Sequence, residues 1–271
     1  MAKMIVRTAL DLTTVLQRGS VGQVSDPGAI RLDGLAVRYG DRDAVGPISL
    51  SVPGGTTLAI IGANGSGKSS LLRAIAGLVS PTAGSVETGR ASIALVLQVT
   101  DVDPSLPITV RETVRMARYA VRGPFGRLGA KDHAAVDHAI SRLEVADLAD
   151  RQLHELSGGQ RQRVLVAQGL AQEADIVLLD EPVTGLDLVS RELILDVVTE
   201  ERSRGRTVLM STHTLDDARR CDQVLLLATR LVACGPPDEV LVEEHLRAAF
   251  GGRLLRLTSG ELLVDDPHHA H

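Results

Sequence analysis

Nothing in this chain restricts its fold more than residues 57 to 78, "TLAIIGANGSGKSSLLRAIAGL": an apolar run, a glycine-rich turn, then a helical pattern. "TLAIIG" reads as a short buried strand, and "KSSLLRAIAGL" as a helix with Leu71, Leu72, Ile75 and Leu78 on one side. Between them Gly62, Ala63, Asn64, Gly65, Ser66, Gly67, Lys68 and Ser69 fit G-x-x-x-x-G-K-[ST] in the strand-to-helix context that gives this motif its meaning. Glycines let successive amide N–H groups face one phosphate-sized hollow, and the helix start adds its own unpaired amides and dipole. Lys68 is expected to reach the β and γ phosphates of a nucleotide, and the Ser69 hydroxyl to ligate Mg2+. The bland alternative, a glycine turn that caps a helix, does not account for the full motif in this context.

Such a loop needs a carboxylate at the end of a neighbouring buried strand, and "ADIVLLDEP" supplies two, Asp180 and Glu181. Asp180 is expected at Mg2+, directly or through water, and Glu181 is expected to orient and partly deprotonate the attacking water. Pro182 argues against the strand continuing. Gln98, ending "IALVLQ", and His213, following "TVLMST", each read in two ways: as incidental loop residues, or as groups near the γ phosphate. In the second reading Gln98 senses nucleotide through magnesium or water and His213 contacts the phosphate.

"LHELSGGQRQRV" poses a separate question. Ser157 as N-cap with Gln160 at the third helical position satisfies capping-box spacing. That explains the serine and the glutamine but not Gly158 and Gly159, each costing roughly 1 kcal/mol relative to alanine inside a helix. Successive exposed amides at a helix start make a second anion site. Because the first loop already encloses one face of the phosphates, the second is most useful facing the nucleotide of another copy.

In order and spacing, "GANGSGKS", Gln98, "LSGGQ", "IVLLDE", "TGLD" and His213 resemble the phosphate loop, Q-loop, signature, magnesium strand, D-loop and switch histidine of ATP-binding cassette transporter ATPases. The resemblance covers about residues 31 to 240. It implies an α/β fold: a P-loop NTPase core with a mostly parallel sheet, an N-terminal antiparallel β subdomain and an inserted α-helical subdomain. It further implies ATP and Mg2+ as cofactors, and a head-to-tail dimer, expected as a homodimer, with ATP held between one subunit's phosphate loop and the other's Ser157, Gly158, Gly159 and Gln160. Tyr39 stands where the family places the aromatic that stacks on adenine, and Asp187 where the family shapes contacts between the two sites. Ser70, commonly threonine, is a near-neutral departure, and Thr214 replaces an acidic residue that often follows the switch histidine.

The implied partners are a separate membrane permease, whose coupling helices meet the helical insert, and an extracytoplasmic substrate-binding protein, with the ATPase on the cytoplasmic side of the membrane. "LPITVRETVRMARY", the "GPFGRL" loop and the wording around "LSGGQ" resemble ATPases of bacterial zinc, manganese or iron uptake. Iron-chelate, haem and cobalamin uptake, export, and a permease-free soluble ATPase stand as alternatives.

The rest of the chain fits this picture. Residues 1 to 29 read as an extension, 30 to 240 as the ATPase domain with a helical subdomain at about 99 to 160, and 241 to 271 as a C-terminal extension with a polar tail. "AIRLDGLAVRYG" and "AVGPISLSVPGG" read as antiparallel strands near a sheet edge, and "HAAVDHAISRLEVADLAD" as one helical run. A net charge of -5 and only Tyr39, Tyr119, Phe125 and Phe250 as aromatics give no reason to expect a nucleic-acid partner. The longest uncharged run, Ala44 to Gly67, is broken by prolines and glycines and reads as no membrane span.

Overall fold

The computed structural model describes residues 28–98, 107–123 and 125–251, and the backbone of 254–256 and 262–264. Residues 1 to 27 of the expected N-terminal extension and the end of the polar tail, 265 to 271, fall outside the described residues.

A six-stranded sheet forms the centre, in the order β5 (Ile93–Val96), β6 (Ile176–Leu179), β7 (Thr207–Thr212), β3 (Thr57–Ile61), β8 (Gln223–Ala228), β9 (Arg230–Gly235). The first five are parallel, and β9 closes the edge antiparallel to β8. Strand alternation splits the core in two. Leu58, Ile60, Ile176, Leu178, Leu225 and Leu227 point to one face, Ala59, Ile61, Val177, Leu179, Val224 and Leu226 to the other. Both faces are covered, which is why these strands read as unbroken apolar runs.

The first face packs on α1 (Lys68–Ile75), through Leu71, Leu72 and Ile75, and on a separate antiparallel sheet. That sheet has the order β2 (Arg42–Val52), β1 (Ile30–Tyr39), β4 (Ala83–Glu87). The two N-terminal strands therefore make their own layer with β4 instead of an edge of the main sheet. α1 is shorter than its pattern suggests: Gly77, at φ +72, ends the helical turn, and Leu78 lies past the end, 39% exposed.

The second face is covered by helices. α2 (Val110–Arg122) starts from a capping box between Thr109 and Glu112, and α3 (Ala130–Arg142) follows it. The helical run expected through residue 150 stops at Arg142; Glu144 is left-handed at φ +50, and a 3-10 turn covers Ala146–Leu148. α4 (Gly158–Leu170) and α5 (Leu188–Ser203) complete the layer, with the short α6 (Leu215–Arg219), α7 (Pro237–Val240) and α8 (Glu243–Phe250). Val114 and Ala117 of α2 and Val136 and Ile140 of α3 join the same apolar cluster as the sheet face, so the insert shares its core with the body. Gly169 of α4 lies so close to Val96 that an added Cβ would overlap Val96 Cγ2, which sets helix against strand. β10 (Leu254–Arg256) and β11 (Leu262–Val264) pair as a terminal hairpin.

Glu201, fully buried on α5, holds the insert to the body. It takes an ion pair from Arg142 at 2.5 Å, a second from Arg206, and a longer contact from Arg204 at 3.5 Å.

Candidate functional site

Four adjacent strands, β5, β6, β7 and β3, release Gln98, Asp180 with Glu181, His213 and the Gly62–Ser69 loop at one end of the sheet. The register makes them neighbours, since Val96 pairs with Leu179, Leu179 with Met210, and Ile61 with Thr212. The carboxyl ends of parallel strands are where an open α/β sheet forms its crevice.

The loop itself is fixed by steric need. A Cβ on Gly62 would stand 2.5 Å from the Ser66 hydroxyl and closer still to the Leu227 carbonyl. One on Gly67, at φ +103, would meet Val45 Cγ2 at 3.0 Å and the Ala44 carbonyl closer yet. Ser66 Oγ, itself within the loop, is buried without a hydrogen-bond partner among the described residues, a polar group left for a ligand to satisfy. Lys68, 5% exposed, donates from Nζ to the Gly62 carbonyl at 2.9 Å and stands 3.6 Å from Glu181 Oε1.

Ser69 and Asp180 meet directly. Ser69 Oγ donates to Asp180 Oδ1 at 2.9 Å, and Ser211 Oγ donates to the same oxygen at 2.8 Å. Asp180 is 3% exposed. A hydroxyl beside a nearly buried carboxylate is an all-oxygen donor set, the kind that suits Mg2+. Gln98 leaves the same sheet end but is exposed and makes no hydrogen bond among the described residues. Glu181 sits in the left-handed region at φ +48, a conformation uncommon for a residue with a side chain. Its amide donates to Ser211 Oγ at 2.8 Å, and its Oε2 accepts from Thr184 at 3.4 Å.

Ser211 thus holds both acids with one hydroxyl, and sequence reasoning passed over it. Its signal was present: a polar residue near the end of the strand "TVLMST", directly after Val208, Leu209 and Met210, and fully buried in the structure. The turn carrying His213 is tied down nearby. Thr212 Oγ1 donates to Asp217 at 3.2 Å and accepts from the Thr214 amide at 3.1 Å, while Arg191 pairs with Asp217. Burial pushes the Asp217 carboxyl above its ordinary value, against the pull of Arg191. An acid four residues past the histidine anchors the turn here, where Thr214 itself has no carboxylate.

At the second loop, Ser157 caps α4 and the box closes on itself: the Gln160 amide donates to Ser157 Oγ at 3.3 Å, and the Ser157 amide to Gln160 Oε1 at 3.1 Å. Gly159 lies against the D-loop, where a Cβ would stand 3.0 Å from Asp187 Oδ2 and 3.1 Å from Ser190 Oγ. Asp187 caps α5, and the Ser190 amide bond to its carboxylate holds its pKa below the ordinary value. Gly158 meets nothing within 4 Å, so no contact among the described residues requires a glycine there. Tyr39, at the end of β1, is 49% exposed.

Residues 45–184 match the family model described as ABC transporter. This chain belongs to the ABC transporter family. The chelated iron transport protein YfeB of Yersinia pestis is 37% identical over 247 residues, covering 87% of this chain and 83% of that protein. The manganese transport ATP-binding protein MntA of Synechocystis is 37% identical over 234 residues, covering 82% of this chain and 90% of its own. Among solved structures, an inward-facing ABC transporter described as metal-chelate type superposes with a TM-score of 0.75 at 27% identity, covering 88% of this chain and 97% of that one. The fold of this family member is accordingly that of the ATP-binding cassettes, with the mixed α/β core, antiparallel layer and inserted helices expected from its sequence. Among the described residues no helix is long and apolar enough to cross a membrane, and no group of three or more His, Cys, Asp or Glu residues is placed to hold a metal ion.

Proposed function

We propose that this chain is the ATP-hydrolysing subunit of a transporter that takes up a metal ion, zinc, manganese or iron, through a separate membrane permease. The observation that carries the catalytic reading is the Ser69–Asp180–Ser211–Glu181 arrangement beside Lys68, at the mouth of the glycine loop. The relatives' named cargoes, chelated iron and manganese, support the choice of transport substrate.

In this reading the amides of Gly62 to Ser69 and the Lys68 ammonium bind the phosphates, with Ser70 in the same helix start and Tyr39 against the adenine. Ser69 and Asp180 would hold Mg2+, with Gln98 as a further ligand; the ion supplies charge neutralisation to the phosphate oxygens when bound. Glu181, held by Ser211 and Thr184, orients the attacking water and accepts its proton, and His213 contacts the γ phosphate.

The second loop serves a second copy. Gly159 and Gly169 are ten residues apart on α4, about 15 Å at helical rise, and Gly169 rests on Val96, whose carbonyl accepts from the Asp180 amide. That span, the open space around Gly158 and the exposed Ser157 support a site offered outward, in a head-to-tail homodimer. The protein then sits on the cytoplasmic face of the membrane, bound through its permease, with an extracytoplasmic binding protein delivering cargo.

The test is to recover the complete membrane complex and measure ATP-dependent flux of metals and metal chelates. Uptake of free manganese, zinc or iron supports the proposal. Flux confined to chelates moves the assignment to that cargo class, which the metal-chelate type of the solved relative favours as the second reading. Association with ribosomes or DNA and no permease rejects transport.

A further inference from the structure

The β1–β2 hairpin turns through Gly40 and Asp41, and Tyr39 stands directly opposite Arg42 in its register. Residues opposite one another in an antiparallel pair put their side chains on the same face. On that face Arg42 reaches the glycine loop: a Cβ placed on Gly65 would lie 3.4 Å from Arg42 Nη2. The hairpin is seated at a second point, where Ala44 and Val45 crowd Gly67, so the strand runs along the loop from Gly65 to Gly67.

The neighbouring Arg38 is already engaged, with Nε 2.7 Å from Asp43 Oδ1. The Arg42 side chain is exposed and has no hydrogen-bond or ion-pair partner among the described residues. A guanidinium presents a planar fork of donors that matches phosphate oxygens, and one left unpaired at the edge of an anion-binding loop has its binding capacity intact.

We propose that Arg42 is a further nucleotide-binding residue, whose guanidinium contacts the phosphate chain of the nucleotide held by Gly62 to Ser69. This rests on the nucleotide-site reading above. The hairpin then supplies a two-part clamp on one face, with the Tyr39 ring for the base and the Arg42 charge for the phosphates, while Lys68 acts from the loop. ATP and ADP are the ligands it distinguishes from an uncharged nucleoside.

The experiment is equilibrium binding of ATP and ADP to the full chain, comparing wild type with Arg42→Ala, Arg42→Gln and Arg42→Lys, with Lys68→Ala as the control for the site itself. Arg42→Ala and Arg42→Gln are expected to weaken ATP binding about fivefold to tenfold, a loss that shrinks as salt screens the exposed charge. Arg42→Lys is expected to recover only part of that loss, the charge being kept and the planar fork of donors removed. Melting temperatures are expected to match across the three. Wild-type affinity in Arg42→Ala, with binding lost in Lys68→Ala, overturns the role of Arg42 and leaves the nucleotide site standing. Loss in Arg42→Ala but not in Arg42→Gln assigns Arg42 to packing and also overturns it. If wild type binds neither nucleotide, or Lys68→Ala binds as wild type does, the site reading falls and this proposal with it.

Discussion

Ser69 and Asp180 are 111 residues apart in the chain, and their side-chain oxygens lie 2.9 Å from each other. The contact joins the first turn of α1 to the end of β6, so the loop and the acidic strand end form one unit. Asp180→Asn keeps the volume and removes the charge. It is expected to raise the Mg2+ concentration needed for hydrolysis by about tenfold or more, while ATP binding measured in chelator stays near wild type. A magnesium titration of activity checks this, and an unshifted midpoint argues against Asp180 at the ion.

Glu181→Gln preserves shape and hydrogen bonding but removes the proton acceptor. Turnover should fall by about 10²–10⁴-fold with ATP affinity retained. Wild-type turnover in that variant, freed of contaminating ATPase, rejects Glu181 as the base.

Two substitutions at Ser157 separate its structural role from its role toward a partner. Ser157→Ala removes the cap of α4 and should cost about 1 kcal/mol of stability. Ser157→Asp keeps a good cap, and so a normal melting temperature, yet sets a carboxylate against the partner's phosphate. In an Glu181→Gln background, sedimentation with ATP should find the Asp variant monomeric. Dimers equal to those of the parent would remove Ser157 from the shared site.

Gly62→Ala tests the loop's sterics. The added methyl overlaps the Leu227 carbonyl and Ser66, so the loop must shift, with a cost of about 1–3 kcal/mol and loss of nucleotide binding. Thermal unfolding and a binding isotherm report both, and tight ATP binding in this variant contradicts the geometry described for the loop.

Asp132, nearly fully buried at the start of α3, gives a pH signature. The Gly129 amide, opposed by burial and aided by Arg122 and Arg118, holds its carboxyl down to about 2, against an ordinary 3.8. A depressed folded pKa contributes stability above the unfolded value and loses it as pH falls through the folded one. The stability gap between wild type and Asp132→Asn should therefore be full above about pH 4 and close towards pH 2. A gap that stays constant over that range excludes the carboxylate as its source.

The central strands were legible because burial on both faces demands continuous apolar runs, as in "IVLL" and "TLAII". That the glycine loop, Gln98, Asp180, Glu181 and His213 gather at one end of the sheet was legible because each follows an apolar run that reads as a buried strand. β4 and β9 were not: β4 carries glycine and serine with exposed positions, and β9 is half-buried at a sheet edge, so neither shows clean alternation. Ser211 escaped notice because its task is to hold other groups, the Asp180 carboxylate and the Glu181 backbone amide. Arg42 escaped because its neighbourhood depends on a hairpin register that spacing alone does not reveal.

The buried Glu201 makes the chain lopsided in what it tolerates. Arg142, Arg204 and Arg206 converge on one carboxylate, but Arg204 and Arg206 lie on the body with Glu201, so only the loss of one of those two leaves both the charge compensated and the insert attached. Losing the glutamate removes the buried partner of Arg142 and leaves that arginine of the insert paired, among the described residues, with the half-exposed Glu200 alone. The junction therefore has two positions that can be exchanged, Arg204 and Arg206, and two that cannot, Arg142 and Glu201, the ends of the link between insert and body.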